Sequence, residues 1–268
     1  MESFSDNFLK EFALQLKNYR WVTDPFHQWS RQWEYPFTYS LIRDFINENP
    51  DNDKFVVLDA GSGATFFPYY ISAALKSRLK VVCCDYDVPL RSIFTAINSK
   101  MQTTVEFQPN DIRQLPNEND CFDVIYCISV MEHTKDLERL VQEFKRVLKP
   151  NGLLIVTFDV SIDGDASIPV EKAKDLIRLL KKHLSPLSEL REDILGKDFE
   201  SSLTTEYVRK VDEDLLPWKG RDYTFASIIR NLLKLQLPAR RFSNLSCFCG
   251  AFSKPSLPGS TSVSKSII

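Results

Sequence analysis

Apolar residues along this chain fall in short continuous runs that alternate with segments of helical periodicity. Four runs have the length of a strand, and each ends at a polar or glycine-containing turn: Phe55–Leu58, Lys80–Cys84, Phe122–Val130 and Leu153–Phe158. Such runs are typical of parallel strands that are covered on both faces. The intervening segments carry apolar residues three and four positions apart, which predicts amphipathic helices. This alternation predicts an α/β protein with a doubly wound, mostly parallel sheet.

The first fifty residues have a different pattern. Phe8 to Leu16 has helical spacing, and eight aromatic residues then fall between Tyr19 and Tyr39. Pro25 and Pro36 are expected to break this stretch, so that it cannot form one continuous helix. An aromatic cap that packs on the sheet is one interpretation. The other is a helical lid over a ligand, which would exclude water from the reacting groups.

These patterns predict three parts of the chain. Residues 1–50 form the N-terminal helical cap or lid, and residues 51–254 form the main domain. That domain carries an insertion at about 160–240, where the strand and helix pattern becomes irregular. Residues 255–268 are rich in Ser and Pro and are predicted to be a disordered tail.

Composition narrows the class of protein. The chain has 268 residues, 43% of them hydrophobic, and a formal net charge of -2. We therefore expect neither nucleic acid nor a membrane as partner, and a monomer or homodimer. The N-terminus lacks the features of a signal peptide. Six cysteines without a Cys-x-x-Cys pair suggest reduced thiols, so a cytoplasmic protein without a metal site is expected.

The most informative turn follows the first predicted strand. Asp59 precedes Gly61 and Gly63, and glycines here allow a tight bend and a close approach to a ligand. In a dinucleotide-binding turn a third glycine would occupy the position of Phe66. A carboxylate beneath the turn would also repel a phosphate. Asp59 and Phe66 therefore favour a cationic ligand over a pyrophosphate.

The sequence Asp59-Ala60-Gly61-Ser62-Gly63 resembles the first motif of class I S-adenosylmethionine-dependent methyltransferases, with Thr65 in place of the last glycine. The second half of the core, including the turn Leu148-Lys149-Pro150-Asn151-Gly152, is similar to the same family. The resemblance covers about residues 55–158 and includes small-molecule methyltransferases of the domain 11 and 23 type. It implies a seven-stranded Rossmann-like sheet that ends in an antiparallel hairpin, with S-adenosylmethionine as cofactor.

Acids at successive strand ends are the main candidates for cofactor binding. Asp85 directly follows the second strand, where a carboxylate can accept hydrogen bonds from both ribose hydroxyls. The resemblance implies that Asp111 and Ile112 lie beside the adenine. Arg31 and Trp33 would face the cofactor if the N-terminal segment is a lid. The predicted cofactor-binding residues are Asp59, Gly61, Ser62, Gly63, Asp85, Tyr86, Asp111, Ile112, Ser129, Arg31 and Trp33.

The acceptor half of the reaction is less defined. His133, just past the fourth strand, is the best candidate for a general base, because its usual pKa of about 6.5 suits neutral pH; alternatively it caps the next helix or contacts the cofactor. Asp159, Asp163 and Asp165 form an acidic group that would suit an amine acceptor, or else a solvated loop. The predicted substrate-binding residues are Tyr35, Tyr39, Glu132 and Asp159.

Three functions remain open. The first is methylation of a small molecule, with N-methylation of an amine or guanidino group in specialised metabolism favoured by the acidic residues. The second is O-methylation of a hydroxyl or carboxyl group. The third belongs to another class: a non-catalytic binding or regulatory protein with the same fold.

Overall fold

The computed structural model of the protein describes residues 1–21, 26–75, 78–102, 105–162, 168–189, 203–211 and 244–256. Within these ranges eight strands form one sheet. Their bounds are β1 Phe55–Ala60, β2 Leu79–Asp85, β3 Glu106–Pro109, β4 Phe122–Ile128, β5 Leu148–Ser161, β6 Ile168–Pro169, β7 Ser185–Pro186 and β8 Leu245–Ser253.

The strand order is β3-β2-β1-β4-β5-β8-β7, and the short β6 pairs with β5. Strands β3, β2, β1, β4 and β5 are parallel neighbours along that order, whereas β8 is antiparallel to β5. The order reverses between β1 and β4, which creates the crevice at the carboxyl ends where sheets of this kind bind ligands. The predicted doubly wound, mostly parallel sheet is therefore confirmed. The main order holds the seven strands that the resemblance implies, and the two-residue β6 beside β5 is an eighth.

Strand β5 is longer than its parallel neighbour. The last β4–β5 pair is Ile128 with Thr157, but β5 continues to Ser161, which pairs with Leu245 of β8. Strands β5 and β8 therefore project past the end of β4 as an antiparallel ribbon. Asp159 lies on this ribbon, opposite Cys247.

Helices cover both faces of the sheet. The helices in the described ranges are α1 Glu2–Glu11, α2 Ala13–Leu16, α3 Arg31–Glu48, α4 Phe67–Leu75, α5 Leu90–Asn98, α6 Leu137–Val147, α7 Val170–His183 and α8 Thr205–Val211. The first five helices share a core with alternate side chains of β1, such as Val57. Helices α6 and α7 share the opposite core with the other side chains, such as Leu58.

Helix α6 is one of the amphipathic helices, and its apolar side faces the sheet. Leu140, Val141, Phe144 and Val147 are fully enclosed against the sheet. At the helix start, the Asp136 side chain accepts a hydrogen bond from the Arg139 N–H, which satisfies one backbone donor of the first turn.

The prediction that Pro36 breaks the aromatic stretch is wrong, since α3 runs through Pro36 without interruption. Proline in a helix removes one hydrogen bond and costs about 3 kcal/mol. Burial of an apolar side chain contributes about 1.5–3 kcal/mol, and α3 buries Tyr35, Ile42 and Ile46 in the core. Tertiary packing therefore offsets the cost of the proline. Pro25 lies outside the described residues.

Other predictions also fall outside the described ranges. Asp163, Asp165, most of the predicted insertion at 160–240 and the predicted tail beyond residue 256 belong there. Among the helices that are described, none is both long and apolar enough to cross a membrane. All six cysteines are free thiols.

Candidate functional site

The glycine turn after β1 requires glycine at two positions. Gly61 and Gly63 have φ angles of 81° and 53°, in the left-handed region that side chains disfavour. A Cβ on Gly61 would lie 2.5 Å from Val130 Cγ2, and one on Gly63 would clash with the Tyr19 hydroxyl. The Gly61 and Ser62 N–H groups donate to the Cys84 carbonyl over 2.8 and 3.0 Å. The turn is thus fixed to the end of β2.

Asp85, at the end of β2, holds two turns together. Its Oδ2 accepts from the Gly63 N–H at 3.0 Å, and its Oδ1 accepts from the Asp87 N–H at 3.0 Å. Each carboxylate oxygen has a second lone pair, so both can still accept a hydrogen bond from a hydroxyl group. Tyr86 follows directly and is 68% exposed at the rim. This arrangement leaves Asp85 able to bind a ribose.

Asp59 lies beneath the glycine turn and is only 5% exposed. Burial raises its pKa to about 8; the neighbouring Tyr126 hydroxyl opposes that rise and the Asp85 carboxylate adds to it. A nearby cation favours the charged form of a carboxyl group. Asp59 is therefore suited to a ligand that carries an ammonium group, as its sequence position predicts.

The predicted adenine-side residues lie after β3. The Arg113 Nη2 and Nε atoms bind the Asp111 carboxylate, with an Nη2–Oδ2 distance of 2.6 Å. Hydrogen bonds from Arg113 hold the pKa of Asp111 below its usual range. Ile112 is buried in the same core as α6. The Asp111 carboxylate is therefore already paired with Arg113 at the edge of the site. The sequence did not indicate this ion pair.

A buried polar network joins α3 to the residue after β4 and to the middle of β5. Glu34 is fully enclosed and accepts from Ser129 Oγ at 2.8 Å and from Thr157 Oγ1 at 2.5 Å. Its other oxygen pairs with Arg31, whose Nη1 also donates to Ser129 Oγ at 2.5 Å. Burial alone would raise the pKa of Glu34, but Arg31 and these hydrogen bonds hold it below the usual value. Ser129 has a φ of 49°, an uncommon backbone conformation at a strand end.

Two further carboxyl groups lie beside this network. Glu132 Oε1 accepts from the Asp159 N–H at 3.3 Å. Glu132 Oε2 and Asp159 Oδ1 are enclosed but have no hydrogen-bond partner. Burial and the Asp159 carboxylate raise the pKa of Glu132 to about 8. Burial and Glu34 raise the pKa of Asp159 to about 7, against the opposing effect of Arg31. Two unpaired acceptors at one place suit a ligand that donates hydrogen bonds.

His133 lies in a single 3₁₀ turn, Met131–His133, after β4. Its backbone N–H donates to the Val130 carbonyl at 3.0 Å. Partial burial and Arg31 lower the pKa of its imidazole, which therefore stays neutral near pH 7. The structure thus leaves His133 in a form that can accept a proton.

The predicted aromatic residues of α3 point to different places. The Tyr35 ring stacks on Phe67 with centroids 4.5 Å apart, and the Tyr39 ring packs edge-on against Tyr70 at 5.3 Å. Trp33 is 37% exposed. These contacts make Tyr35 and Tyr39 part of the packing between α3 and α4.

Sequence reasoning missed Glu34, Thr157 and Tyr19. Glu34 lies on the same helical face as Arg31 and the buried Thr38, so an acid within a buried stripe was the available signal. Nothing in the local sequence marks Thr157 within its apolar strand. Among the described residues, no group of three His, Cys, Asp or Glu side chains is arranged to hold a metal ion.

Comparison with known proteins identifies the core. The family described as Methyltransferase domain matches residues 58–156. Curated relatives include the tRNA U34 carboxymethyltransferase of Campylobacter jejuni, 25% identical over 126 residues, which cover 47% of this chain and 41% of the relative. The same enzyme of Ruthia magnifica is 31% identical over 130 residues, 48% of this chain and 37% of the relative. The chain thus spans less than half the length of these relatives.

Solved structures support the same fold. A putative sarcosine dimethylglycine methyltransferase from Galdieria sulphuraria has a TM-score of 0.52 and 19% identity, covering 81% of this chain and 85% of the other. The [4+2]-cyclase SpnF has a TM-score of 0.53 and 15% identity, covering 93% of both chains. At such identities the likeness concerns the fold alone.

The prediction that nucleic acid is not a partner is wrong on this comparison. It rested on the net charge of the whole chain, whereas curated relatives that share this domain are named for a reaction on tRNA. Net charge averages over the entire surface, so it does not report which side chains line one site.

Proposed function

Because this chain belongs to the class I S-adenosylmethionine-dependent methyltransferases, we propose that it methylates an amine or guanidino nitrogen of a small molecule. The observation that carries this proposal is the pair of enclosed, unpaired acceptors Glu132 Oε2 and Asp159 Oδ1. They lie at the carboxyl ends of β4 and β5, where folds of this kind bind ligands.

The residues around the glycine turn fit S-adenosylmethionine, which carries an ammonium and a sulfonium group. Asp59 would hold the ammonium group, and Asp85 would accept from the ribose hydroxyls. The glycine positions keep the turn free of Cβ atoms. Tyr86, Asp111 and Ile112 remain the proposed contacts of the adenosine end, with Ser62, Ser129, Arg31 and Trp33 as further candidates. When bound, the cofactor supplies a methyl group that its sulfonium makes electrophilic.

The acceptor side needs a group that binds a cationic amine and then takes its proton. The cluster of Arg31, Glu34, Glu132 and Asp159 contains three carboxyl groups and one guanidinium, so it favours a cation. An amine that donates to Glu132 Oε2 and Asp159 Oδ1 satisfies both acceptors. Burial raises the pKa of Glu132 to about 8 and that of Asp159 to about 7. Asp159 is therefore the more ionised of the two groups near neutral pH and the first candidate to accept the ammonium proton, and Glu132 follows as the pH rises. The nitrogen then presents its lone pair. His133 is the second candidate for this proton transfer.

Release of S-adenosylhomocysteine tests this proposal directly. The purified protein is incubated with S-adenosylmethionine and a panel of amines, guanidines, phenols, alcohols and carboxylic acids. We expect turnover with amines or guanidines. Turnover with phenols or carboxylic acids alone would refute the proposal and indicate O-methylation. Binding of the cofactor without turnover on any acceptor would instead support the non-catalytic alternative.

Variants identify the proton acceptor. Glu132→Gln and Asp159→Asn keep the size of the side chain but remove its basicity, so each should lower kcat for an amine at least tenfold, an effect in the usual range for acid–base groups. Glu138→Gln on α6 is the matched control, since this acid faces His183 and Lys182 on the surface. Loss of activity in His133→Gln with full activity in Glu132→Gln would assign the role to His133.

A nucleic-acid acceptor is the second candidate function. It is supported by the curated relatives named for tRNA U34 carboxymethylation. Unmodified tRNA transcripts belong in the same assay. Methyl incorporation into RNA that exceeds incorporation into any amine would replace the small-molecule proposal.

We also propose that residues 1–50 act as a cap on the 51–254 domain. The burial of α1 and α3 in one core with β1 supports this division. The free thiols support the proposal of a cytoplasmic protein.

A further inference from the structure

The segment Tyr19-Arg20-Trp21, here called the cover, lies across both turns assigned to the cofactor. The Tyr19 hydroxyl accepts from the Ala64 N–H at 3.1 Å and fills the space where Gly63 would carry a side chain. Arg20 Nη2 donates to the Tyr86 hydroxyl at 2.5 Å, and Arg20 Nε lies 3.7 Å from Asp87 Oδ2. One tripeptide therefore touches the turn after β1 and the turn after β2.

The Tyr19 hydroxyl has an unused donor. Its oxygen accepts from Ala64, but its own hydrogen meets no acceptor among the described residues. The charged groups that face it are Asp59, Asp85 and Asp87. Burial is the main cause that raises the pKa of Tyr19 to about 12, so the phenol stays protonated at all physiological pH values. A neutral donor at this place suits an acceptor that brings a negative charge.

We propose that Tyr19 binds the carboxylate of the methionine part of S-adenosylmethionine, and that the cover must lift for the cofactor to enter. The inference rests on the proposed cofactor and concerns a residue that sequence reasoning did not select. The carboxylate is the one anionic group of this cofactor. Asp59 and Asp85 repel it, so it needs a donor without negative charge, and Tyr19 provides one beside the Ala64 N–H.

The contacts of Arg20 explain how the cover opens. Its guanidinium lies 4.9 Å from the Trp21 ring centroid and 5.5 Å from that of Tyr86. Trp21 and Tyr86 are 58% and 68% exposed. Exposed ion pairs and cation–π contacts are weak, because solvent screens them. Arg20 therefore closes the cover without locking it.

Calorimetry with two probes tests the role of Tyr19. S-adenosylhomocysteine carries the amino-acid carboxylate, whereas 5′-methylthioadenosine lacks the whole amino-acid part. Loss of a hydrogen bond to a charged group weakens binding by a factor of about ten or more. Tyr19→Phe should therefore weaken the binding of S-adenosylhomocysteine at least tenfold. Its dissociation constant for 5′-methylthioadenosine should stay within about twofold of the wild-type value. Tyr207→Phe, at an exposed tyrosine on α8, is the matched control and should bind both probes like wild type.

Each result has one meaning. Equal loss of both probes in Tyr19→Phe would show a structural role and overturn the proposal, as would unchanged binding of both. Wild-type protein that binds neither probe would refute the proposed cofactor itself, which is a separate failure. Trypsin gives a second readout that needs no activity. Cleavage after Arg20 should slow when S-adenosylhomocysteine is bound, and cleavage unaffected by a saturating ligand would contradict a cover that closes over it.

Discussion

Glu34 gives the sharpest prediction about stability. Its carboxylate is fully enclosed, pairs with Arg31 and accepts from Ser129 and Thr157. Removal of one partner of a buried ion pair costs about 3–5 kcal/mol, because the other charge is left without compensation. Glu34→Gln keeps one acceptor oxygen, so we expect the lower end, about 3 kcal/mol. For a chain of this size that lowers Tm by about 6–12 °C.

The matched second variant is Glu34→Gln combined with Arg31→Met. The double variant leaves no buried charge without compensation, so it should regain most of the loss. Urea unfolding monitored by circular dichroism measures both, and the coupling energy follows from the double-mutant cycle. Glu138→Gln, at a half-exposed acid, should change stability by less than about 1 kcal/mol.

Two outcomes would refute the reasoning. A loss below about 1 kcal/mol in Glu34→Gln would mean that the pair contributes no more than a surface ion pair. Additive effects of Glu34→Gln and Arg31→Met would mean that the two charges do not depend on each other.

Three further predictions concern the cofactor side. Asp59 has a folded pKa of about 8 against about 3.9 in an unfolded chain. The folded state therefore keeps a proton that the unfolded state loses, so the free energy of unfolding should fall as the pH rises from about 4 to 8. Urea unfolding at several pH values should show a smaller fall for Asp59→Asn than for wild type. An equal fall in both proteins would contradict this prediction. Gly61→Ala should lower the free energy of unfolding by about 2–4 kcal/mol, because of its positive φ and the clash of the new Cβ with Val130. Addition of Val130→Ala should relieve the clash and restore only part of this loss. Full restoration would exclude a contribution from the backbone conformation. Asp85→Ala should weaken S-adenosylhomocysteine at least tenfold by calorimetry, since charged hydrogen bonds are lost; wild-type affinity would remove Asp85 from the site.

The sequence predicted the sheet because its strands are parallel and covered on both faces. Such strands appear as continuous apolar runs, and β4, with six of seven residues buried, is the clearest example. The glycine turn was also readable, since backbone angles like that of Gly61 allow few other residues. Pro36 misled the prediction of α3, because a local rule cannot weigh the tertiary packing of Tyr35 and Ile42.

The sequence predicted those residues of the candidate site that directly follow an apolar strand. Asp59 and Asp85 follow apolar runs, so their position alone indicated the crevice. The network of Glu34, Ser129 and Thr157 joins residues more than ninety positions apart. No local pattern records such contacts, because they depend on how α3 docks. Tyr19 could not be predicted for the same reason, because its hydrogen-bond partner Ala64 lies 45 positions away.

The projecting ribbon of β5 and β8 makes the two halves of the crevice separable in design. Cofactor candidates such as Asp59 and Asp85 belong to the parallel part of the sheet, whereas Asp159 belongs to an antiparallel extension beyond β4. A chimera that exchanges this extension alone leaves the glycine turn and the strands β1 and β2 unchanged in sequence. Such grafts offer a way to assign a new acceptor to the chain while the methyl donor stays the same.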